Sequence, residues 1–217
     1  MGRREEVLEQ IAGAGVVGII RMQAGGPLLE MARAIASGGI ACLEITLNTP
    51  GALDAIRSLH ERSRGTVLGA GTVLDARSVQ EAVDAGARFV VTPSVRDAVV
   101  RAARRLGIAA IVGAMTPTEA LLAWEIGADL VKVFPASIVG PAFLREMRGP
   151  LPQIPLVPTG GITADNAGEF IRAGAVAVCA GSWLVDKQAV AEGRFDLITE
   201  KARHLVEAVR KAREEVA

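Results

Sequence analysis

Tyrosine is absent from the 217 residues, histidine and cysteine occur twice each, and aromatic residues make up only 3% of the chain. Without tyrosine, any proton-transferring group must be Glu, Asp, Lys or water. His60, near the end of an expected helix, and His204, on a charged C-terminal helix, are placed for neither a histidine triad nor a histidine-rich metal centre. Cys42 and Cys179 lie inside apolar runs without the spacing of a metal or redox motif, and read as buried, reduced packing residues. Formal net charge is zero and the basic residues are spread over helices, so the basic stripe of a nucleic-acid-binding protein is missing. No run reaches 18 consecutive apolar residues, and Met1-Gly2-Arg3-Arg4-Glu5-Glu6 leads into a mixed helix rather than a signal peptide. A soluble, cytoplasmic protein with no nucleic-acid or membrane partner is expected.

What is abundant is hydrophobic residues, half of the total, and glycine, 24 residues. One phrase recurs: a helical segment, a glycine, one or two small residues, then an apolar run. It appears at Gly39, Gly86, Gly107, Gly127 and Gly174, each glycine suiting the left-handed position that ends a helix. The intervals of 47 residues contain further apolar runs at Val67-Leu68-Gly69-Ala70 and Ile154-Pro155-Leu156-Val157. With Val16-Val17-Gly18-Ile19-Ile20 at the front, eight strands are predicted near 16–21, 41–47, 66–72, 89–93, 109–114, 130–134, 155–159 and 175–181. Thr49-Pro50 and the capping box Thr116-Pro117-Thr118-Glu119 mark helix starts. Eight βα units over 217 residues predict a TIM (β/α)8 barrel in the α/β class, a single domain with an additional N-terminal helix. A doubly wound open sheet is the alternative, but its candidate fingerprint, Gly69-Ala70-Gly71-Thr72, has Leu74 where a third glycine belongs.

In such a barrel the functional residues gather at the C-terminal ends of the strands. Lys132 interrupts the apolar run Leu130-Val131-Lys132-Val133-Phe134-Pro135. Burial disfavours an ammonium ion, and a neutral amine attacks carbonyls. Taken alone, a lysine of this kind reads first as an edge-strand charge that keeps neighbouring chains away, and it is the rest of the chain that overturns this reading. Side chains alternate along a strand, so an inward Lys132 sends Val131 and Val133 against the helices. The same register turns Glu44, Thr46 and Asn48 inward and Leu43, Ile45 and Leu47 outward. A lysine facing a glutamate suits Schiff-base chemistry at a ketone, with carbon–carbon bond cleavage or formation as the reaction class. A structural ion pair is the alternative. Gly160-Gly161 before a helix start at Ile162-Thr163-Ala164, and Gly181-Ser182 after strand 8, resemble the phosphate site common in this fold, or else merely form tight turns.

Taken in order, Leu43-Glu44-Ile45-Thr46-Leu47, Gly69-Ala70-Gly71-Thr72-Val73, Val91-Thr92-Pro93, Gly113-Ala114-Met115-Thr116-Pro117-Thr118-Glu119, Val131-Lys132-Val133-Phe134-Pro135, Gly140-Pro141, Pro158-Thr159-Gly160-Gly161-Ile162 and Gly181-Ser182 resemble the 2-keto-3-deoxy-6-phosphogluconate (KDPG) aldolase family, also described as 4-hydroxy-2-oxoglutarate aldolases, over nearly the whole chain. The resemblance implies a class I aldolase that splits KDPG reversibly into pyruvate and glyceraldehyde 3-phosphate. Lys132 would be its Schiff-base lysine and Glu44 its general acid/base. It further implies that Thr72, Pro93, Phe134 and Thr159 line the pyruvyl pocket with Arg21, that Gly160, Gly161 and Ser182 bind phosphate, with Gly181 beside them, and that Thr46 and Asn48 belong to the substrate site. It also implies a homotrimer that needs no metal or other cofactor. Asn48 departs from the arginine usual among the gluconate enzymes, and the Leu-Asn-Thr-Pro ending is similar to the galactonate (KDPGal) aldolases, whereas Thr159 is similar to the gluconate ones. That departure leaves the C4 epimer open and shifts the carboxylate-binding role toward Arg21 and backbone N–H groups. The rivals are a KDPGal or 4-hydroxy-2-oxoglutarate aldolase of the same family, a metal-dependent pyruvate aldolase, for which the strand ends lack acidic and histidine ligands, and a catalytically silent barrel.

Overall fold

A computed structural model describes residues 3–62 and 65–216; Met1 and Gly2 of the opening stretch lie outside the described residues. Helix α1 (Arg3–Ala14) precedes β1 (Val16–Ile20), and strands and helices then alternate as α2 (Leu28–Ser37), β2 (Cys42–Thr46), α3 (Ala52–Arg62), β3 (Val67–Gly71), α4 (Ala76–Asp84), β4 (Phe89–Val91), α5 (Asp97–Arg105) and β5 (Ala109–Ala114). The second half continues α6 (Pro117–Glu125), β6 (Leu130–Val133), α7 (Ala136–Arg148), β7 (Leu156–Pro158), α8 (Ala164–Arg172), β8 (Val178–Ala180), α9 (Lys187–Ala191) and α10 (Phe195–Glu214). All strand pairs are parallel, each strand lies beside its neighbours in sequence, and β1 also pairs with β8. The ring closes between β7 and β8 through a bridge at Thr159 and Cys179 and the Val176 N–H bond to the Leu156 carbonyl at 3.0 Å. This is the (β/α)8 barrel, with α1 as the additional helix.

Strand alternation separates two apolar layers. Leu43, Ile45, Val131 and Val133 join the layer between the strands and the helices, whereas Val17, Cys42, Val67, Phe89, Leu130 and Cys179 fill the interior of the barrel. Helix α1 closes the N-terminal end: Val7 and Ile11 are fully buried in the interior cluster, each contributing about 1.5–3 kcal/mol of apolar burial. Arg4 fastens that plug by an ion pair with Asp129, whose carboxylate also accepts the Ala110 N–H at 2.8 Å. With one end plugged, the C-terminal end remains for function.

Two glycines of β3 explain the Gly69-Ala70-Gly71 pattern without a nucleotide. A Cβ on Gly69 would stand 2.3 Å from the Phe89 ring, and one on Gly71 would stand 1.7 Å from Glu44 Oε1. Each glycine makes room for a side chain of an adjacent strand, while Ala70 packs outward.

The structure corrects local details. Several strands are shorter than expected; β8 starts at Val178 because 175–177 approach the sheet with a single ladder bond, from Val176. Helix α6 begins with the expected capping box of Thr116 and Glu119. Thr49-Pro50, however, does not start α3, which begins at Ala52. The Thr49 hydroxyl instead accepts the Met22 N–H at 3.1 Å and lies 3.0 Å from the Thr46 hydroxyl, tying the ends of β1 and β2 together. Among the described residues, no helix is long and apolar enough to cross a membrane.

Candidate active site

Lys132 is carried by β6 into the barrel, 2% exposed, with Nζ 5.1 Å from the centre of the Phe134 ring two residues on. It forms the floor of a cavity of about 490 Å³ at the C-terminal end, within the range of small-molecule sites. Phe134, Thr159, Gly160 and Gly161 line one part of this cavity and Arg21, Gly181 and Ser182 another. Eight of the residues singled out by sequence therefore meet around one space, although they come from β1, β6, β7 and β8 and their loops.

Glu44 is fully buried beside this space. Among the described residues, neither of its carboxylate oxygens has a hydrogen-bond partner, and the buried Thr159 hydroxyl has none either. Lys132 therefore does not close a hydrogen-bonded ion pair with Glu44; it reaches the carboxyl through its field, as does Arg21. Unsatisfied buried oxygens cost about 1–3 kcal/mol each, and their clustering here is an arrangement that a bound polar molecule would complete. Burial pushes the Glu44 carboxyl above its ordinary value of 4.5, opposed in part by the charges of Lys132 and Arg21. A carboxyl so placed can hold a proton where an exposed one would have lost it.

That shift has a consequence for stability. The folded chain keeps the Glu44 proton to a higher pH than the unfolded chain, so this group's stabilising contribution is complete below the ordinary value and is lost as pH rises through the folded one. Melting temperatures of the wild type and of Glu44→Gln, measured from about pH 4.5 to 8, should diverge with the wild type losing ground as pH rises. Parallel curves would mean that Glu44 titrates normally in the fold.

The two glycine loops are built differently. Gly160 and Gly161 have φ of 97° and 72°, left-handed values that a side chain would strain. Asn166, in the first turn of α8, accepts the Thr163 N–H at 2.9 Å and donates to the Gly161 carbonyl at 2.8 Å, pinning this loop against the helix start. After β8, the Val185 N–H closes a turn onto the Gly181 carbonyl at 2.8 Å.

Five residues stand differently from the eight. Thr46 is buried at the end of β2, its hydroxyl donating to the Ile20 carbonyl at 3.4 Å. Thr72 is the one non-glycine residue at positive φ among those described, 56°, and accepts from Arg21 Nη2 at 3.5 Å; a β-branched residue there is strained, by roughly 1–3 kcal/mol. Pro93 is half-buried and packs its carbonyl against Gly113, where a Cβ would stand 2.3 Å away. Glu44 is fully buried and does not itself line the cavity. Asn48 departs from expectation: β2 stops at Thr46, the chain turns with the Thr49 N–H bonded to the Thr46 carbonyl at 2.8 Å, and inward alternation ends. Asn48 is exposed and lines a separate depression with Pro50, Ser78 and Glu81, while Thr49 takes the buried place. Sequence reasoning overlooked Gln23 and Lys187, which line the main cavity; the only local signal for Lys187 was its place a few residues after Gly181-Ser182.

Cys42 and Cys179 are buried free thiols in the barrel interior, and burial pushes both up to about 12, which leaves them protonated packing groups. Among the described residues, no cluster of three or more His, Cys, Asp or Glu side chains is placed to hold a metal ion.

Comparison with known proteins agrees with this picture. Residues 7–201 match the family model described as "Aldolase: KDPG and KHG aldolase". The 2-dehydro-3-deoxy-phosphogluconate aldolase of Treponema pallidum is 37% identical over 205 residues, covering 94% of this chain and 96% of the relative. A solved structure described as native KDPGal matches with a TM-score of 0.85 at 29% identity, over 92% of this chain and 96% of that one. The 2-keto-3-deoxy-6-phosphogluconate aldolase of Zymomonas mobilis ZM4, solved with 3-phosphoglycerate, matches with a TM-score of 0.82 at 30% identity, over 95% of this chain and 96% of that one. With sequence and fold matched along nearly its whole length, this chain belongs to the KDPG and KHG aldolase family.

Proposed function

We propose that the protein is a class I aldolase that reversibly splits 2-keto-3-deoxy-6-phosphogluconate into pyruvate and glyceraldehyde 3-phosphate. The observation that carries this reading is Lys132 itself: a buried amine at the floor of an open cavity, beside a buried carboxyl to which it is not hydrogen-bonded. Lys132 Nζ adds to the C2 ketone, and loss of water from the carbinolamine leaves an iminium. Removal of the C4 hydroxyl proton then breaks the C3–C4 bond, its electron pair flowing into the iminium to give an enamine and releasing the aldehyde. Protonation of the enamine at C3 and hydrolysis return pyruvate and the free lysine. Glu44 moves these protons, directly or through water; its raised affinity for a proton suits a group that must both take and give one.

Around this centre, Phe134, Thr159, Thr72 and Pro93 shape the pyruvyl pocket, Thr46 and Thr49 brace its wall, and Arg21 offers a guanidinium to the substrate carboxylate. Gly160, Gly161, Gly181 and Ser182 turn backbone N–H groups toward the phosphate. The Zymomonas relative solved with 3-phosphoglycerate is consistent with a phosphorylated three-carbon ligand. The exposed position of Asn48 moves the carboxylate role further toward Arg21. Resemblance to the family also suggests a cytoplasmic homotrimer.

Treatment with pyruvate and borohydride tests the assignment. Reduction of the iminium should inactivate the protein and add the pyruvyl mass to the peptide containing Lys132. Lys187, which lines the same cavity from the rim, is the competing site. Modification of Lys187 with Lys132 untouched would overturn the mechanism, and no adduct on the folded protein would favour a catalytically silent barrel.

A further inference from the structure

Lys187 starts α9 and faces the cavity that also holds Lys132 and the two glycine loops. Its immediate neighbour Asp186 would be its natural counter-charge, but Asp186 is engaged elsewhere. The Asp186 carboxylate accepts the Gln188 and Ala189 N–H groups at 2.9 and 3.0 Å and lies 3.4 Å from Lys201 Nζ. Among the described residues Lys187 forms no ion pair, which leaves its charge available to the cavity.

Lys201 does more than occupy Asp186. From α10 it also donates to the Trp183 carbonyl at 3.0 Å, with Nζ 5.6 Å from the Trp183 ring centre. One ammonium group therefore grips the segment between Ser182 and Lys187 at two points, and the turn from Gly181 to Val185 shortens it further. The base of the Lys187 side chain is fixed, while its end is free. Helix α9, at five residues, is too short to supply a useful dipole; the positive charge on this side of the cavity comes from the side chain.

We infer that Lys187, held at the rim by the Lys201 clamp, is a specificity-determining residue that pairs with the phosphate of the substrate and favours phosphorylated over unphosphorylated aldehydes. The inference rests on the aldolase reading for the identity of the substrate, but not for the existence of an anion site. A dianionic phosphate between glycine N–H groups and an ammonium is held from two sides, and such charge-assisted contacts are stronger than neutral ones. Lys201 acts through the loop and is a positioning residue.

The test measures two quantities on wild type, Lys187→Ala, Lys187→Arg and Lys201→Met. One is the calorimetric Kd for glycerol 3-phosphate, which needs no turnover. The other is the ratio of kcat/KM for glyceraldehyde 3-phosphate to that for glyceraldehyde, each condensed with pyruvate. Lys187→Ala should weaken glycerol 3-phosphate and lower the ratio, each by about tenfold, the size of one partly solvated charge-assisted hydrogen bond. Lys187→Arg, which keeps the charge, should stay within about threefold of wild type. Lys201→Met should raise KM for the phosphorylated aldehyde more than it lowers kcat, because the clamp sets a binding group and not the reacting amine. Raising salt should weaken glycerol 3-phosphate less steeply in Lys187→Ala than in wild type. A Lys187→Ala protein whose Kd and ratio both match wild type would overturn the inference. If the wild type condensed neither aldehyde while Lys187→Ala still lost glycerol 3-phosphate, the aldolase reading would fall and the anion site would stand. Turnover of both aldehydes with equal efficiency, and no binding of glycerol 3-phosphate, would remove the anion site and leave the aldolase.

Discussion

Glu44→Gln is expected to keep the barrel and to form the borohydride-trapped pyruvate adduct on Lys132, yet to lose about 10²- to 10⁴-fold in kcat, the usual share of general acid/base catalysis. The amide is close in size to the carboxyl, and the pocket beside Gly71 that accepts one accepts the other. What disappears is a group able to exchange a proton. Adduct formation and turnover should therefore separate, because borohydride collects whatever iminium forms over a long incubation, whereas kcat counts every proton transfer of the cycle. Steady-state kinetics beside mass spectrometry of the trapped protein decide the point. Turnover close to wild type in the folded variant would remove Glu44 from the mechanism.

Gly71→Ala should be nearly as damaging although it touches no substrate. Its methyl group would fall 1.7 Å from Glu44 Oε1, 2.4 Å from Cδ and 2.6 Å from Cγ, so the carboxyl must leave its place. Position 71 has no left-handed φ, so the backbone accepts alanine and the conflict is purely one of space. A displacement of about 1 Å in a catalytic group costs on the order of 10²-fold, and forcing a methyl into a filled interior costs about 1–3 kcal/mol of stability. The diagnostic is coupling. In a Glu44→Ala background the new methyl meets no carboxyl, and Gly71→Ala should then add little to the loss of activity. Fully multiplicative effects of the two substitutions would show that Gly71 matters for some other reason than the seat of Glu44.

The βα repeat and the inward register of Lys132 and Glu44 could be read from the chain alone because both are local. A glycine at each helix end and strict alternation of polar and apolar side chains depend on neighbours a few residues away, and the flanking Leu43, Ile45, Val131 and Val133 do pack outward. The same locality explains why Thr116 and Glu119 were recognised as a cap. Alternation does not extend past the end of a strand. Asn48 lies two residues beyond Thr46, but the strand has stopped and a turn bonded back to Thr46 moves it to the surface and Thr49 inward. Strand ends are decided by partners on other strands, which the segment itself does not contain.

Other features belong to the tertiary structure alone. That α1 is fastened over the barrel end depends on Arg4 meeting Asp129, 125 residues away. That Gly71 is a seat for Glu44, rather than part of a nucleotide loop, depends on the register of two adjacent strands from separate segments of the chain. Lys187 reads as an ordinary charge at a helix start until Lys201 of α10 occupies Asp186 and leaves it without an ion pair among the described residues, beside the cavity. The chain by itself determined the repeating unit and which residues point inward, because side-chain periodicity is a property of a few consecutive bonds. Which of those residues share a space, and which charges remain unneutralised within it, was decided only when distant segments packed together.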